Sequence, residues 1–142
     1  MTTQWLIPLD GSEQALRALD FAVQEASARM DKPQLLALHV ASPLSSNITR
    51  FIDQATVDDY HREEGDKVLQ PAREKLVASG LVYSSHLLVG EVAPTIAEFA
   101  ASKGCQMIVM GARGTGSAMG ALLGSISARV IHLSQRAVLL VH

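Results

Sequence analysis

A chain of 142 residues is long enough to bury a substantial core without disulfides or a metal, and it predicts one domain spanning 1–142. With 48% hydrophobic and 18% charged residues the chain does not have the composition of a disordered one, and a net charge of −2 gives no polybasic signal for nucleic acid or an anionic membrane. The opening MTTQWLIPLD has no basic leader, and its apolar run is too short for a signal peptide or a span, so a cytoplasmic protein without membrane insertion is expected.

In chain order, Trp5 to Leu9 reads as a first strand, closed by the turn chemistry of Asp10, Gly11 and Ser12. Pro8 cannot donate to a ladder, which predicts an irregularity there. From Ser12, the expected N-cap, apolar residues at helical spacing from Ala15 to Ala26 predict a helix ending before Asp31. Leu35 to Val40 is near-continuously apolar, the pattern of a strand covered on both faces. Ser42 to Asn47 reads as a mobile polar loop. A helix is then predicted to start around Asp53 to Val57 and run to Ser79, with Val57, Tyr60, Glu64, Val68, Ala72 and Leu76 on one face and Gly80 as its stop. Pro71 inside it predicts a break near Leu69 and Gln70, since an interior proline costs ~3 kcal/mol.

Tyr83 to Val89 is the third strand, and a helix with Pro94 in its first turn follows to Lys103. Cys105, the lone cysteine, permits no intrachain disulfide and reads as a small buried hydrophobe. Met107 to Met110 is the fourth strand, Ser125 to Leu133 a helix with Ser125 as its expected N-cap, and Val138 to Val141 the fifth strand. Alternating strands and helices imply right-handed crossovers: an α/β fold, an open, doubly wound parallel sheet of five strands, order 3-2-1-4-5, with helices on both faces.

Between the fourth strand and the last helix lies GARGTGSAMGALLGS, Gly111 to Ser125, which holds five of the ten glycines. Glycine backbone can turn several N–H groups into one concavity, and the helix beyond adds unpaired N–H groups and a partial positive charge, both favouring an anion. The loop lacks the lysine of a Walker A motif and the spacing of a dinucleotide fingerprint. Ligands of open α/β sheets bind beyond the strand ends where strand order reverses, here between strands one and four. Asp10 ends the first and Gly111 the fourth.

The spacing Gly111, two residues, Gly114, nine residues, Gly124, Ser125 resembles the ATP-binding branch of the universal stress protein family, with an adenine nucleotide alpha hydrolase-like fold. LDGS (Leu9 to Ser12), LLALHV (Leu35 to Val40) and VGEVAPTIAEFA (Val89 to Ala100) extend the likeness over nearly the whole chain. The resemblance implies that Asp10 meets the nucleotide beside adenine or ribose and Val40 meets adenine through its backbone. Gly111 would sit at the ribose, and Gly114, Gly124 and Ser125 would hold the phosphates. Arg113 is either a phosphate partner or a solvated loop residue; Asp10 is otherwise an Asx-type turn.

The implied ligand is ATP, or ADP or AMP at the same contacts, with Mg2+ held mainly by phosphates. None of the five histidines is spaced as a helical metal site, and His39, beside the crevice, reads as a structural strand-end residue. By the same likeness two copies join through the unprotected last strand, Val138 to Val141, as a homodimer, and a further protein partner is open. The expected function is a nucleotide-dependent stress-response module. A slow ATPase, lacking a recognisable general base beyond Asp10, and a nucleotide-free interaction protein are the alternatives. A departure from the family is Arg136, Ala137, Val138 where a proline commonly precedes the last strand.

Overall fold

The computed structural model describes residues 2–113 and 123–142. Its elements run β1 (Gln4–Pro8), α1 (Glu13–Ser27), β2 (Gln34–Ala41), α2 (Ser46–Thr49), α3 (Gln54–Ser79), β3 (Tyr83–Val89), α4 (Val92–Ser102), β4 (Met107–Gly111), α5 (Ser125–Leu133) and β5 (Ala137–Val141). All strand pairs are parallel, in the order β3-β2-β1-β4-β5. That is the expected order, with the reversal between β1 and β4.

Side chains alternate across the strands, so the sheet separates two apolar layers. One joins Trp5, Ile7, Leu35, Ala37 and Val109 to α1 and α3; the other joins Leu6, Leu36, Leu38, Ile108 and Met110 to α4 and Val130 of α5. Trp5 is buried, its Nε1 donating to Gln106 Oε1 at 2.7 Å.

Pro8 shows how its missing N–H is accommodated. In a parallel strand, alternate residues direct their backbone groups to opposite neighbours. Leu9 donates to Leu38 of β2, and Gln4 accepts from Gln106 beside β4, so the even positions, Pro8 included, address β4. The β1–β2 pairing runs through Pro8, whereas the β1–β4 pairing ends at Leu6 with Ile108. The irregularity is therefore an early end to one ladder.

The α3 region differs from expectation in three ways. The segment after β2 contains the short helix α2 where an unbroken loop was expected. The buried stripe of α3 is Val57, His61, Gly65, Leu69, Ala72 and Leu76, whereas Tyr60 and Glu64 are exposed and Val68 is half-buried. Gly65 explains the rotation: a Cβ there would lie 2.7 Å from both methyls of Leu87, so β3 and α3 meet where hydropathy shows no apolar residue. Finally, α3 runs unbroken through Pro71. Pro71 and Lys67 are both exposed, which leaves the carbonyl deprived of its partner on the wet side. Burial of Val57, Leu69 and Leu76, each worth ~1.5–3 kcal/mol, exceeds the ~3 kcal/mol cost of an interior proline. Asp53 caps the start, accepting from the Thr56 N–H at 2.9 Å, and the cap holds its carboxyl below the ordinary value; Gly80 ends the helix at φ +73°.

Candidate functional site: the crevice between β1 and β4

At the end of β1 the chain must turn sharply into α1. Gly11 makes the turn at φ +87°, the left-handed region where a Cβ is strained. Asp10 Oδ1 accepts from the Ser12 N–H at 2.9 Å, and Ser12 Oγ accepts from the Ala15 N–H at 3.1 Å as the N-cap of α1. Leu9, one residue before, gives its carbonyl to His39 Nδ1 at 2.7 Å. The Asx turn and the strand-end histidine are thus both present, and they fix where the Asp10 backbone stands.

At the end of β4, Gly111 passes so close to α1 that a Cβ would lie 3.2 Å from Gln14 and 3.1 Å from the Arg113 carbonyl. The Arg113 N–H donates to Gln14 Oε1 at 2.9 Å. Ala112 is bonded on both sides: its N–H donates to the Val141 carbonyl at 2.9 Å, and its own carbonyl accepts from the Gly124 N–H at 2.8 Å and from Ser127 Oγ at 2.6 Å. The N-cap of α5 is Gly124 and not Ser125, because the helix is already under way at Ser125, whose hydroxyl makes no cap bond. Ser125 is consequently the first helical residue, and its exposed hydroxyl stands at the mouth of the crevice.

These two strand ends border a cavity of about 180 Å3. Asp10, Val40, Gly111, Arg113, Gly124 and Ser125 all line it; Gly114 lies outside the described residues. The apolar lining comes from Pro8, Leu38, Val40, Val92, Ile96 and Met110. The N-cap of α1, Ser12, and the first residues of α4 and α5, Val92 and Ser125, also reach it. Three helix N-termini thus share one opening with Arg113, an arrangement that favours negative charge against an apolar floor.

Two contributors were not evident beforehand, Gln14 and Ser127. Their signal lies only in the fold, since Ser127 acts on a carbonyl fifteen residues back and Gln14 on an N–H ninety-nine residues on. Arg129 pairs with the acidic neighbour Glu91 at 2.7 Å, an exposed contact between the starts of α4 and α5.

Other reactive side chains stand apart from the crevice. Cys105 is fully buried, and burial pushes its thiol above the ordinary value. His86, bonded to Ser84 Oγ at 2.8 Å and stacked near Phe99, is held below its ordinary value by burial and by Lys103. Among the described residues, no three His, Cys, Asp or Glu side chains are grouped to hold a metal, and no helix is long and apolar enough to cross a membrane.

The universal stress protein family model matches residues 1–142. Universal stress protein YxiE of Bacillus subtilis is 34% identical over 149 residues, covering 99% of each chain. Among solved structures, UspA of Lactobacillus plantarum superposes with a TM-score of 0.81 at 24% identity, over 99% of this chain and 97% of that one. A universal stress protein solved in complex with cAMP does so with a TM-score of 0.68 at 26% identity, over 99% and 96%. On a family match running from the first residue to the last, this chain belongs to the universal stress protein family.

Proposed function

We propose that the chain binds an adenine nucleotide in the crevice between β1 and β4, with ATP and Mg2+ as the physiological form, and acts as a nucleotide-dependent module of a stress response. The observation that supports this most directly is the meeting of three helix N-termini and Arg113 over an apolar floor at the strand-order reversal. An adenine base suits the floor of Leu38, Val40, Ile96 and Met110, and Asp10 at the rim suits a ribose hydroxyl. The N–H groups at the start of α5, the Ser125 hydroxyl and Arg113 suit phosphate, and Gly114 joins them by its place in the motif. Magnesium would be held chiefly by the phosphates and water, whose charge it offsets. A cAMP complex of a related chain agrees with the ligand class. The edge strand β5, Val138 to Val141 in its core, would join a second copy as a homodimer, in a cytoplasmic setting.

Two measurements test the nucleotide reading. Mass spectrometry of small molecules released on denaturation is expected to find ATP or ADP, and calorimetry to show ATP binding with magnesium. Gly124→Val, which adds bulk at the buried start of α5, should weaken binding at least about tenfold, or 1.4 kcal/mol. A parent protein silent in both measurements would remove the reading.

A further inference from the structure

We propose that Ser127, whose residue lines the crevice while its hydroxyl is given to the Ala112 carbonyl, is a positioning residue for the phosphate end and acts through that carbonyl. This role rests on the nucleotide reading above.

The argument begins with what fixes the start of α5. An anion at a helix N-terminus is held by N–H groups of the first turn, so its affinity depends on where that turn stands relative to the rest of the site. Among the described residues the rest of the phosphate end is Arg113, which follows β4 beside Gly111 at the ribose side. Among the described residues two hydrogen bonds span the gap between the two pieces, and both end on one atom. The Ala112 carbonyl takes the Gly124 N–H at 2.8 Å and the Ser127 hydroxyl at 2.6 Å, which uses both of its lone pairs.

Ser127 is only 3% exposed, so no water competes for this contact. Its hydroxyl also lies 3.1 Å from the Gly124 carbonyl, but a hydroxyl has one proton, and the shorter contact to Ala112 takes it. The Gly124 carbonyl is in any case satisfied by the Ala128 N–H at 3.0 Å. Serine at this position therefore reaches outward from its own helix, whereas serine inside a helix commonly bonds back to the preceding turn.

One bond would leave α5 hinged on Ala112; the second, from three residues on and directed at the other lone pair of the same carbonyl, restricts the direction in which α5 leaves that atom. Ala112 is anchored in turn, since its N–H donates to Val141 at the end of β5 and Arg113 next to it is held by Gln14. Ser127 thus transmits the rigidity of the sheet to the first turn of α5, whose Ser125 and Ile126 line the cavity. Its removal leaves the apolar floor untouched and loosens only the anionic end.

The test is a calorimetric series with ATP, AMP and adenosine on the parent, Ser127→Ala, Ser127→Thr and Ser127→Val. Thr and Val share a shape and differ in the hydroxyl, so this pair decides the matter even if the alanine variant folds poorly. Expected is an affinity loss of about tenfold for ATP and AMP in Ser127→Ala and Ser127→Val, the scale of one hydrogen bond. Adenosine affinity should not change, and Ser127→Thr should restore the parent values. Amide exchange of Gly124 in the ligand-free protein should quicken in the same two variants. Unchanged ATP affinity, equal losses for ATP and adenosine, or unchanged Gly124 exchange would each overturn the role while leaving the nucleotide reading intact. A parent that binds no adenine nucleotide would remove the reading and the role together.

Discussion

At Gly11 the backbone turns from β1 into α1 at φ +87°, with ordinary space around a built Cβ, the nearest contact being Val68 at 3.6 Å. The demand for glycine is thus conformational and not steric, and Gly11→Ala is expected to cost about 1–2 kcal/mol of stability by urea denaturation. No measurable loss would mean that the turn relaxes. Gly111 is the converse: its φ is ordinary, and the approach of Gln14 excludes a side chain. Both residues, like Asp10, could be picked out from the chain because turn chemistry is local and glycine is conspicuous. Gln14 and Ser127 could not, since a side chain's partner far along the chain leaves no trace in spacing. Ser125 was placed one position early for a related reason. A hydroxyl beside a helix start suggests a cap, but Gly124, bonded to Ala112, already serves as the cap.

Among the elements, α3 shows most clearly what periodicity reads well and badly. Its end was legible from Gly80, a left-handed stop, and its start to within a few residues of Asp53, which the structure shows to be the cap. Its buried face was not, because Gly65 and His61 occupy the stripe while the more hydrophobic Tyr60 is left 48% exposed. Hydropathy ranks side chains by transfer free energy, whereas the packing against Leu87 selects for the absence of one. Proline in the interior is the other lesson, since tertiary burial overrode a local penalty. The penalty nonetheless persists in the folded protein. Pro71→Ala should therefore restore the N–H facing the Lys67 carbonyl and stabilise the protein by about 1–3 kcal/mol, read as a raised Tm. A lowered Tm would show that the ring's own contacts, or its stiffening of the unfolded chain, outweigh the lost bond.

For the whole molecule, the doubly wound architecture was legible because buried parallel strands read as apolar runs separated by amphipathic helices. The proposed dimer would use the outer edge of β5. The Val141 carbonyl accepts from the Ala112 N–H, so by alternation Val141 and Leu139 direct their N–H and carbonyl groups to β4, whereas Val138 and Leu140 direct theirs outward. Leu140→Pro accordingly removes an outward donor without breaking the β4–β5 ladder. If two copies pair along this edge, sedimentation should show the parent as a dimer and the variant as a monomer with unchanged far-UV circular dichroism. A variant that remains dimeric would place the contact elsewhere.

The same reasoning about ladder parity gives Pro8 a consequence at the centre of the sheet. The next rung between β1 and β4 would take an N–H from Pro8, and proline has none. Sheets tend to zip wherever two strands lie alongside, and a crevice between neighbouring strands is the place where such zipping would heal the gap. Here the covalent chemistry of one ring forbids it. The gap in the β1–β4 ladder beyond Leu6 is thus written into the chain itself, and no pairing of these two strands has to be undone for the crevice to exist.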